Sequence, residues 1–195
     1  ALLSCGESLA ARQLSLTVNG GLSKDMRSQT SNRWNMGYNF GLQAFIAPPG
    51  KLSFGERLAY HGRSIDGEGW VGDFFPDNYK HKSADGSQTV IELMPSLRYE
   101  LTPSISPVGI SLQAGAGLFL VSESEITFTA TFSTPPTSGE ETKVFGSSSL
   151  TGFGFQVGLP VSIAGRIEVM PLYSVYNGGG DWYNFYALNV GFKLG

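Results

Sequence analysis

The chain has 195 residues, a formal net charge of −3 and charged side chains at only 15% of its positions. This charge gives no electrostatic basis for binding nucleic acid, and a helical membrane protein is excluded because no apolar run approaches the ~20 residues that a spanning helix needs. Glycine (26 residues) and aromatic residues (12%) are abundant, which disfavours helices and favours strands.

Strands are predicted where apolar and polar residues alternate, because successive side chains of a strand point to opposite faces. In the clearest run, from Trp34 to Ile46, every even position is apolar and the odd positions before Phe45 hold Asn, Gly or Gln. The segments with this alternation, in chain order, are 13–19, 34–46, 52–61, 91–101, 110–120, 152–159, 166–175 and 182–194. These eight strands are long enough to cross a bilayer when tilted.

The connections between these strands differ in length. Short turns are predicted at 47–50, 102–107 and 160–164, and generally longer connections at 23–32, 66–87, 122–146 and, as a compact hairpin, 177–180. Because the strand number is even, both termini fall on the short-turn side. Short periplasmic turns and longer extracellular loops are typical of transmembrane β-barrels.

The polar face of the strands distinguishes a membrane barrel from a soluble one. It carries mostly glycine, asparagine and glutamine, with a few charges of mixed sign that share an inward direction: Arg57, Glu92, Arg98, Glu100, Arg166 and Glu168. Small residues and compensating charges suit the narrow interior of an eight-stranded barrel, where buried charges have to pair. We therefore predict an all-β, eight-stranded antiparallel up-and-down transmembrane barrel whose lumen is filled by Arg–Glu pairs.

The apolar face is broad and suits hydrocarbon. Aromatic residues lie near the strand ends, with Trp34, Tyr60 and Trp182 on the long-loop side and Phe54, Tyr99 and Phe192 on the short-turn side. We expect them to form two aromatic belts at the bilayer interfaces. Three residues fit this face poorly: we expect a bulge or a position near the periplasmic rim at Glu56, and bulges or local breaks at Pro95 and Pro171.

In architecture and in its closing segment, 186–194, the chain resembles the small bacterial outer-membrane β-barrels of the OmpA transmembrane-domain and OmpX type. The resemblance covers residues 12–195, with 1–11 as an N-terminal periplasmic tail, although the chain ends in Leu194-Gly195 and not in a terminal Phe. It implies location in the bacterial outer membrane, with lipid as the surrounding partner. Cys5 follows a short segment that resembles a lipoprotein-processing box, but we expect an unpaired cysteine in the tail.

Candidate chemistry is sparse. Some eight-stranded barrels modify lipid A with a serine and a histidine, but His61 and Ser64 are three residues apart and face opposite sides of a regular strand. The acidic loop 66–85 could hold Ca²⁺, yet its spacing matches no EF-hand and Asp-Gly pairs are ordinary turn chemistry. We expect no catalytic residue, no metal and no cofactor.

The connection 122–146 continues the strand alternation beyond the expected membrane edge, so we predict a protruding hairpin. It places Ile126, Phe128 and Phe132 on one face. These residues either form a docking surface for a protein partner or a neighbouring barrel, or pack on the 66–87 loop. The predicted function is a non-catalytic structural or surface-interaction role, with a narrow passive pore and a lipid A-modifying enzyme as alternatives.

Overall fold

A computed structural model of the chain describes residues 13–25, 33–48, 50–75, 77–102, 106–134, 137–178 and 181–194. Its elements are β1 (Gln13–Asp25), β2 (Gly37–Ala47), β3 (Leu52–Ser64), α1 (Gly67–Phe74), β4 (Tyr79–Asp85), β5 (Ser87–Glu100), β6 (Val108–Glu123), β7 (Ile126–Thr134), β8 (Thr137–Phe145), β9 (Ser148–Gly158), β10 (Val161–Ile163), β11 (Ile167–Gly178) and β12 (Asp181–Leu194). The predicted tail and Cys5 lie outside these described residues.

The large sheet closes on itself. Its antiparallel order runs from β12 through β1, β2, β3, β5, β6 and β9 to β11, which pairs with β12. β10 continues β9 beyond Pro160 in an unchanged register against β6 and β11, so the two form one barrel strand. The barrel therefore has eight strands, which confirms the predicted fold class.

The strand register fixes the tilt of the barrel. Following paired residues once around the wall from Lys24 leads back to Leu14, ten positions earlier on β1. For eight strands this stagger gives a tilt of about 40°. Each residue therefore rises roughly 2.5 Å along the barrel axis.

The outer wall carries a continuous belt of apolar side chains. Leu42, Leu58, Leu118 and Leu188 are typical members, with exposed fractions of 46–52%. In a bilayer such a surface contacts hydrocarbon, and closure of the sheet pairs the backbone groups that lipid cannot satisfy. In the parts of the chain that the structure describes, no helix is long and apolar enough to cross a membrane.

Glu56, Pro95 and Pro171 are the three residues that suit the apolar outer face poorly. Glu56 pairs in regular register with Ala44 and Pro95, so the predicted bulge is wrong. The rim position is wrong too, because apolar residues flank Glu56 on both sides along β3. At Pro95 the pairing of β5 with β6 is interrupted at residues 94–95 without a register shift, which is the predicted local break. Pro171 lies where the neighbour of β11 changes from β10 to β9, which is the predicted local break.

The turn after the sixth barrel strand lies further along the chain than predicted. β10 extends this strand to Ile163, and Ala164 and Gly165 then take φ values of 49° and 69°. Such left-handed backbone suits a tight hairpin turn, which the hydrogen bond from Arg166 N to Ile163 O closes at 3.1 Å. Pro160 is thus a point inside the strand and not the start of the turn.

A second, smaller structure stands at the long-loop end of the barrel. β4, β7 and β8 form an antiparallel sheet in that order, and α1 contacts β4 and β7. The Asp66 side chain caps α1 by accepting a hydrogen bond from Gly69 N at 3.4 Å. We call this sheet and helix, together with Arg33 and Trp34, the extracellular cap. The sequence predicts the β7–β8 hairpin but not α1 or β4.

Candidate functional site

The half of the lumen nearer the short turns contains an ion-pair network centred on Arg98. Its guanidinium group donates to both carboxylate oxygens of Glu168, at 2.8 and 3.1 Å, and to Gln113 Oε1 at 2.8 Å. It also lies 4.4 Å from the centre of the Phe45 ring. Lys193 Nζ is 3.6 Å from Glu168. A bidentate pair of this kind satisfies charges that would be costly if buried alone.

The middle of the lumen contains a second network. Arg57 forms an ion pair with Glu92, and both side chains are fully buried. His61 Nε2 lies 3.0 Å from the other oxygen of Glu92, and Arg57 also donates to Gln156 Oε1 at 3.3 Å. Neighbouring strands β3 and β5 position these groups, because Arg57, His61 and Glu92 all have inward parity.

The structure brings together four of the six predicted lumen residues, as Arg57–Glu92 and Arg98–Glu168. Glu100 is half-buried and lines a polar cavity of about 230 Å³ at the short-turn end. The prediction for Arg166 is wrong. Arg166 is exposed, because it belongs to the tight turn beyond the end of the lumen. Sequence reasoning missed Gln113, Gln156 and Lys193, although each has inward parity.

Aromatic side chains close the lumen toward its long-loop end, and they are not among the residues predicted from the sequence. Phe119 and Tyr176 stack at 4.8 Å, and Phe185 lies 6.1 Å from Tyr176 and 4.8 Å from His61. All three aromatic residues are at most 1% exposed. We call them the aromatic plug. Their inward parity is readable from the alternation, but the expectation of a polar interior hides it.

His61 and Ser64 do not form a catalytic pair in this structure. His61 is fully buried in the lumen, whereas Ser64 is exposed at the end of β3 with the opposite parity. The polar contact of His61 is with Glu92. A serine nucleophile needs a base within hydrogen-bond reach, and this arrangement does not supply one.

The cap has its own aromatic core around Trp70. The Trp70 ring lies 5.2 to 5.6 Å from Phe74, Phe128 and Phe145. Its indole N–H donates to Arg33 O at 3.0 Å. The Arg33 guanidinium lies 5.1 Å from the Trp70 ring and pairs with Asp73 at 2.5 Å. These contacts bind α1 to the chain that enters β2.

Trp34 belongs to this core and not to the outer aromatic belt, so that prediction is wrong. Its side chain is 2% exposed and meets Trp70 edge to face at 6.2 Å. The physical reason is that β2 begins only at Gly37, and the alternation that places even residues toward lipid holds only within the barrel. Beyond the long-loop end of the barrel, Trp34 pairs with Ile65 beside α1.

The hairpin residues also face the cap core. Ile126 and Phe128 are 2% and 0% exposed, and Phe132 lies 5.1 Å from the Tyr79 ring. The expectation of an exposed apolar docking face is therefore wrong, and the alternative of packing on residues 66–87 is correct. These side chains lie on the sheet face that covers α1, where burial removes them from water.

The other residues predicted for the two aromatic belts lie on the outer wall of the barrel. Trp182, Phe54, Tyr99 and Phe192 are 45–63% exposed. Tyr60 is half-buried because Phe40 stacks on it at 4.9 Å. Their role at the bilayer interfaces stays a prediction.

The outward side of the cap is polar. Thr127, Thr129 and Thr131 of β7 alternate with the buried residues, and Thr129 contacts Thr142 of β8 through their hydroxyls at 2.8 Å. Lys143 anchors β8 by donating to Phe74 O at 2.7 Å. In the described residues, β8 pairs only with β7 and is an edge strand. No group of three His, Cys, Asp or Glu residues that could hold a metal occurs in this described part.

Comparisons with known proteins find similar structures only. No protein-family model and no curated protein sequence matches the chain. A major outer membrane protein from Thermus thermophilus is similar at 12% identity and a TM-score of 0.52, over 93% of this chain and 100% of that chain. Ail, the attachment invasion locus protein of Yersinia pestis, is similar at 12% identity and a TM-score of 0.48, over 94% of this chain and 99% of Ail. Neisserial surface protein A is similar at 16% identity and a TM-score of 0.47, over 93% and 96%.

At these identities, the likeness to the Thermus protein shows a shared fold. The chain therefore has the fold of a small outer-membrane β-barrel, as the resemblance in its sequence implies. Its closed wall and continuous apolar belt need surrounding lipid. Fold and belt together locate the protein in the bacterial outer membrane, as an integral β-barrel with lipid as its surrounding partner.

Proposed function

We propose that the protein has a non-catalytic role at the cell surface and that its extracellular cap binds a partner protein. The observation that carries this proposal is the folded aromatic core of the cap. Connections that merely join strands have no need to bury Trp70 and Phe128 at 6% and 0% exposure. A preorganised surface loses less conformational entropy on binding than flexible loops do.

The edge strand β8 is the part of the cap best suited to a partner. Its free side offers backbone N–H and C=O groups, to which an extended segment of another protein can add as a further strand. The apolar residues of the hairpin are buried in the cap, so they take no part in this docking. On its outward face β8 carries the exposed Glu140, which pairs with Lys82 of β4, and Thr142, which contacts Thr129 of β7, so a partner segment added at this edge meets polar neighbours.

The filling of the lumen supports a surface role over a narrow passive pore. The aromatic plug and the two ion-pair networks lie in series between the cap and the cavity at the short-turn end. Recordings in planar bilayers are expected to show no steady conductance. Stable channel openings by the purified protein would favour the pore instead.

The placement of His61 and Ser64 on opposite faces of β3 supports a role without catalysis. Mass spectrometry of lipid A from cells with and without the protein is expected to give the same spectrum. Loss or gain of an acyl chain only in cells that carry the protein would favour a lipid A-modifying enzyme.

The proposal is tested by adhesion of expressing cells to surfaces coated with extracellular proteins. The Thr142→Lys variant places a lysine on the β8 edge, where it opposes strand addition. Ser147→Lys carries the same charge change at an exposed position outside β8. We expect adhesion with the wild type and Ser147→Lys, and its loss with Thr142→Lys. Equal adhesion by all cells, including cells without the protein, would contradict the proposal.

A further inference from the structure

Glu56 occupies an unusual place on the outer wall. It is exposed with lipid-facing parity, halfway along β3 between Leu52 and Tyr60. Each of them is four positions from Glu56, so at roughly 2.5 Å per residue Leu52 and Tyr60 lie about 10 Å from Glu56 along the barrel axis, in opposite directions. Phe54, an expected aromatic-belt residue, is only two positions from Glu56, but the apolar outer wall continues past it to Leu52. A glutamate side chain is too short to reach either end of this apolar wall.

No neighbour in the described structure compensates this carboxyl group. Its paired residues are Ala44 and Pro95, which offer no side-chain donor. Glu56 makes no hydrogen bond and no ion pair with any described residue. An unpartnered carboxyl group in hydrocarbon is costly, and polar residues at such positions usually mark a contact.

A groove of about 590 Å³ lies beside Glu56 on the same outer wall. It is formed where the side chains of Pro95, Ala114 and Ala116 are small, between the larger Phe54 and Phe155. The opposite side of Glu56 is bulky instead. There β2 presents Phe40, Leu42 and Ile46 at 55%, 46% and 46% exposure.

We propose that Glu56 is the centre of a twofold interface between two copies of this chain within the membrane. Both copies insert in the same orientation, so a twofold axis parallel to the barrel axis keeps each Glu56 at the same depth. The two carboxyl groups then meet across the axis, where they hydrogen-bond to each other. Acyl chains offer no donor, and headgroups lie too far away.

The shapes beside Glu56 are complementary under the same rotation. A twofold axis at Glu56 brings the groove on β5 and β6 of one copy opposite β2 of the other. The protruding Leu42 of each copy is thereby directed toward Pro95 of its partner. A self-complementary patch of this kind is what an isologous interface requires.

Cysteine cross-linking near the axis tests the interface while keeping Glu56. In a Cys5→Ser background, Leu58→Cys lies two residues from Glu56 on the same face of β3, and Val190→Cys lies three strands away on the outer face of β12. In vesicles of phosphatidylethanolamine and phosphatidylglycerol, we expect at least about fivefold more disulfide-linked dimer from Leu58→Cys than from Val190→Cys, because a disulfide needs close approach. Equal cross-linking by the two variants would overturn the proposal.

Substitutions at Glu56 then separate its hydrogen bond from general crowding. Adding Glu56→Leu to Leu58→Cys is expected to reduce cross-linking to the level of Val190→Cys, whereas Glu56→Gln retains it because two amides also pair. Ala114→Phe fills the groove and is expected to abolish cross-linking, whereas Leu188→Phe on the far side leaves it unchanged. Heat-modifiable gel mobility checks that each variant folds. Full cross-linking in folded Glu56→Leu would refute the role of Glu56.

Discussion

The barrel lumen and the extracellular cap bury side chains of opposite character. The lumen buries Arg57, Glu92 and Arg98 in ion pairs, whereas the cap buries Trp70 and Phe128 against other aromatic rings. The barrel directs its apolar side chains toward lipid and fills its interior largely with polar groups. The cap stands in water and buries apolar groups as a soluble domain does. One chain therefore depends on paired charge in one region and on hydrophobic burial in the other.

At the boundary between the two regions, the even-numbered residues change from exposed to buried. On β6 the even-numbered Leu118 and Leu120 point outward to lipid, 52% and 43% exposed. On β7 the even-numbered Ile126 and Phe128 are buried instead. The sheet is interrupted at residues 124–125, between the ends of β6 and β7. Parity alone thus assigns a face, and the surrounding solvent decides which face is the core.

The largest expected effect concerns the charged lumen. Arg98→Met removes the bidentate partner of the buried Glu168, so we expect the free energy of unfolding of the barrel to fall by about 3–5 kcal/mol. Urea titration in lipid vesicles measures this loss. The double variant Arg98→Met/Glu168→Leu is expected to recover much of it, because neither charge of the buried pair is then left alone. Lys193, the other cation near Glu168, is 22% exposed and also donates to Ser162. A loss below about 1 kcal/mol for the single variant would contradict the buried pair.

The matching substitution in the cap is Trp70→Ala. Removal of this buried ring is expected to destabilise the cap by about 3 kcal/mol or more, with the barrel left intact. Limited proteolysis of protein in vesicles should then cut within residues 66–87 or 126–145, while the barrel keeps its heat-modifiable gel mobility. Val144→Ala, at a position 59% exposed, is the control. Unfolding of barrel and cap together would show that the two regions are not separable.

A smaller effect is expected at the start of α1. Asp66→Ala removes the side chain that caps the helix, which typically costs about 1 kcal/mol. Hydrogen exchange of the α1 amides should become faster, whereas Asp66→Asn, which keeps an acceptor at the cap, should remain near the wild type. Unchanged exchange in Asp66→Ala would mean that the packing of α1 against the rest of the cap holds it without the capping side chain.

The smallest effect is expected at Arg166. Its exposed position at the tight turn predicts that Arg166→Met changes the free energy of unfolding by no more than about 0.5 kcal/mol. Urea titration beside Arg98→Met makes the comparison direct. A loss as large as that of Arg98→Met would place Arg166 in the lumen network after all.

The barrel is predictable from the sequence because period-two alternation depends only on strand geometry. The alternation indicates the inward parity of Arg57, Glu92, Arg98 and Glu168, and their pairing follows from the need to neutralise buried charge. Arg166 has the same parity, but its exposure depends on where the turn lies. That position is set by the left-handed backbone at Ala164, a residue type with no special preference for such a turn.

The cap is less predictable, because tertiary contacts decide it. α1 contains three glycines among eight residues, a composition that disfavours a helix. It forms because Asp66 caps it and Trp70 packs into the core. The sequence places Trp34 in the lipid belt for a similar reason, since nothing in the local alternation marks the end of the barrel.

Hydrogen exchange of the protein in lipid nanodiscs tests most directly whether a folded cap stands on a closed barrel. The structure predicts slow exchange for the amides of β7 that pair with β4 and β8, comparable to amides of the barrel strands β5 and β6. Rapid exchange throughout residues 126–134 in protein whose barrel amides remain protected would show that the cap is not folded, and would contradict the account.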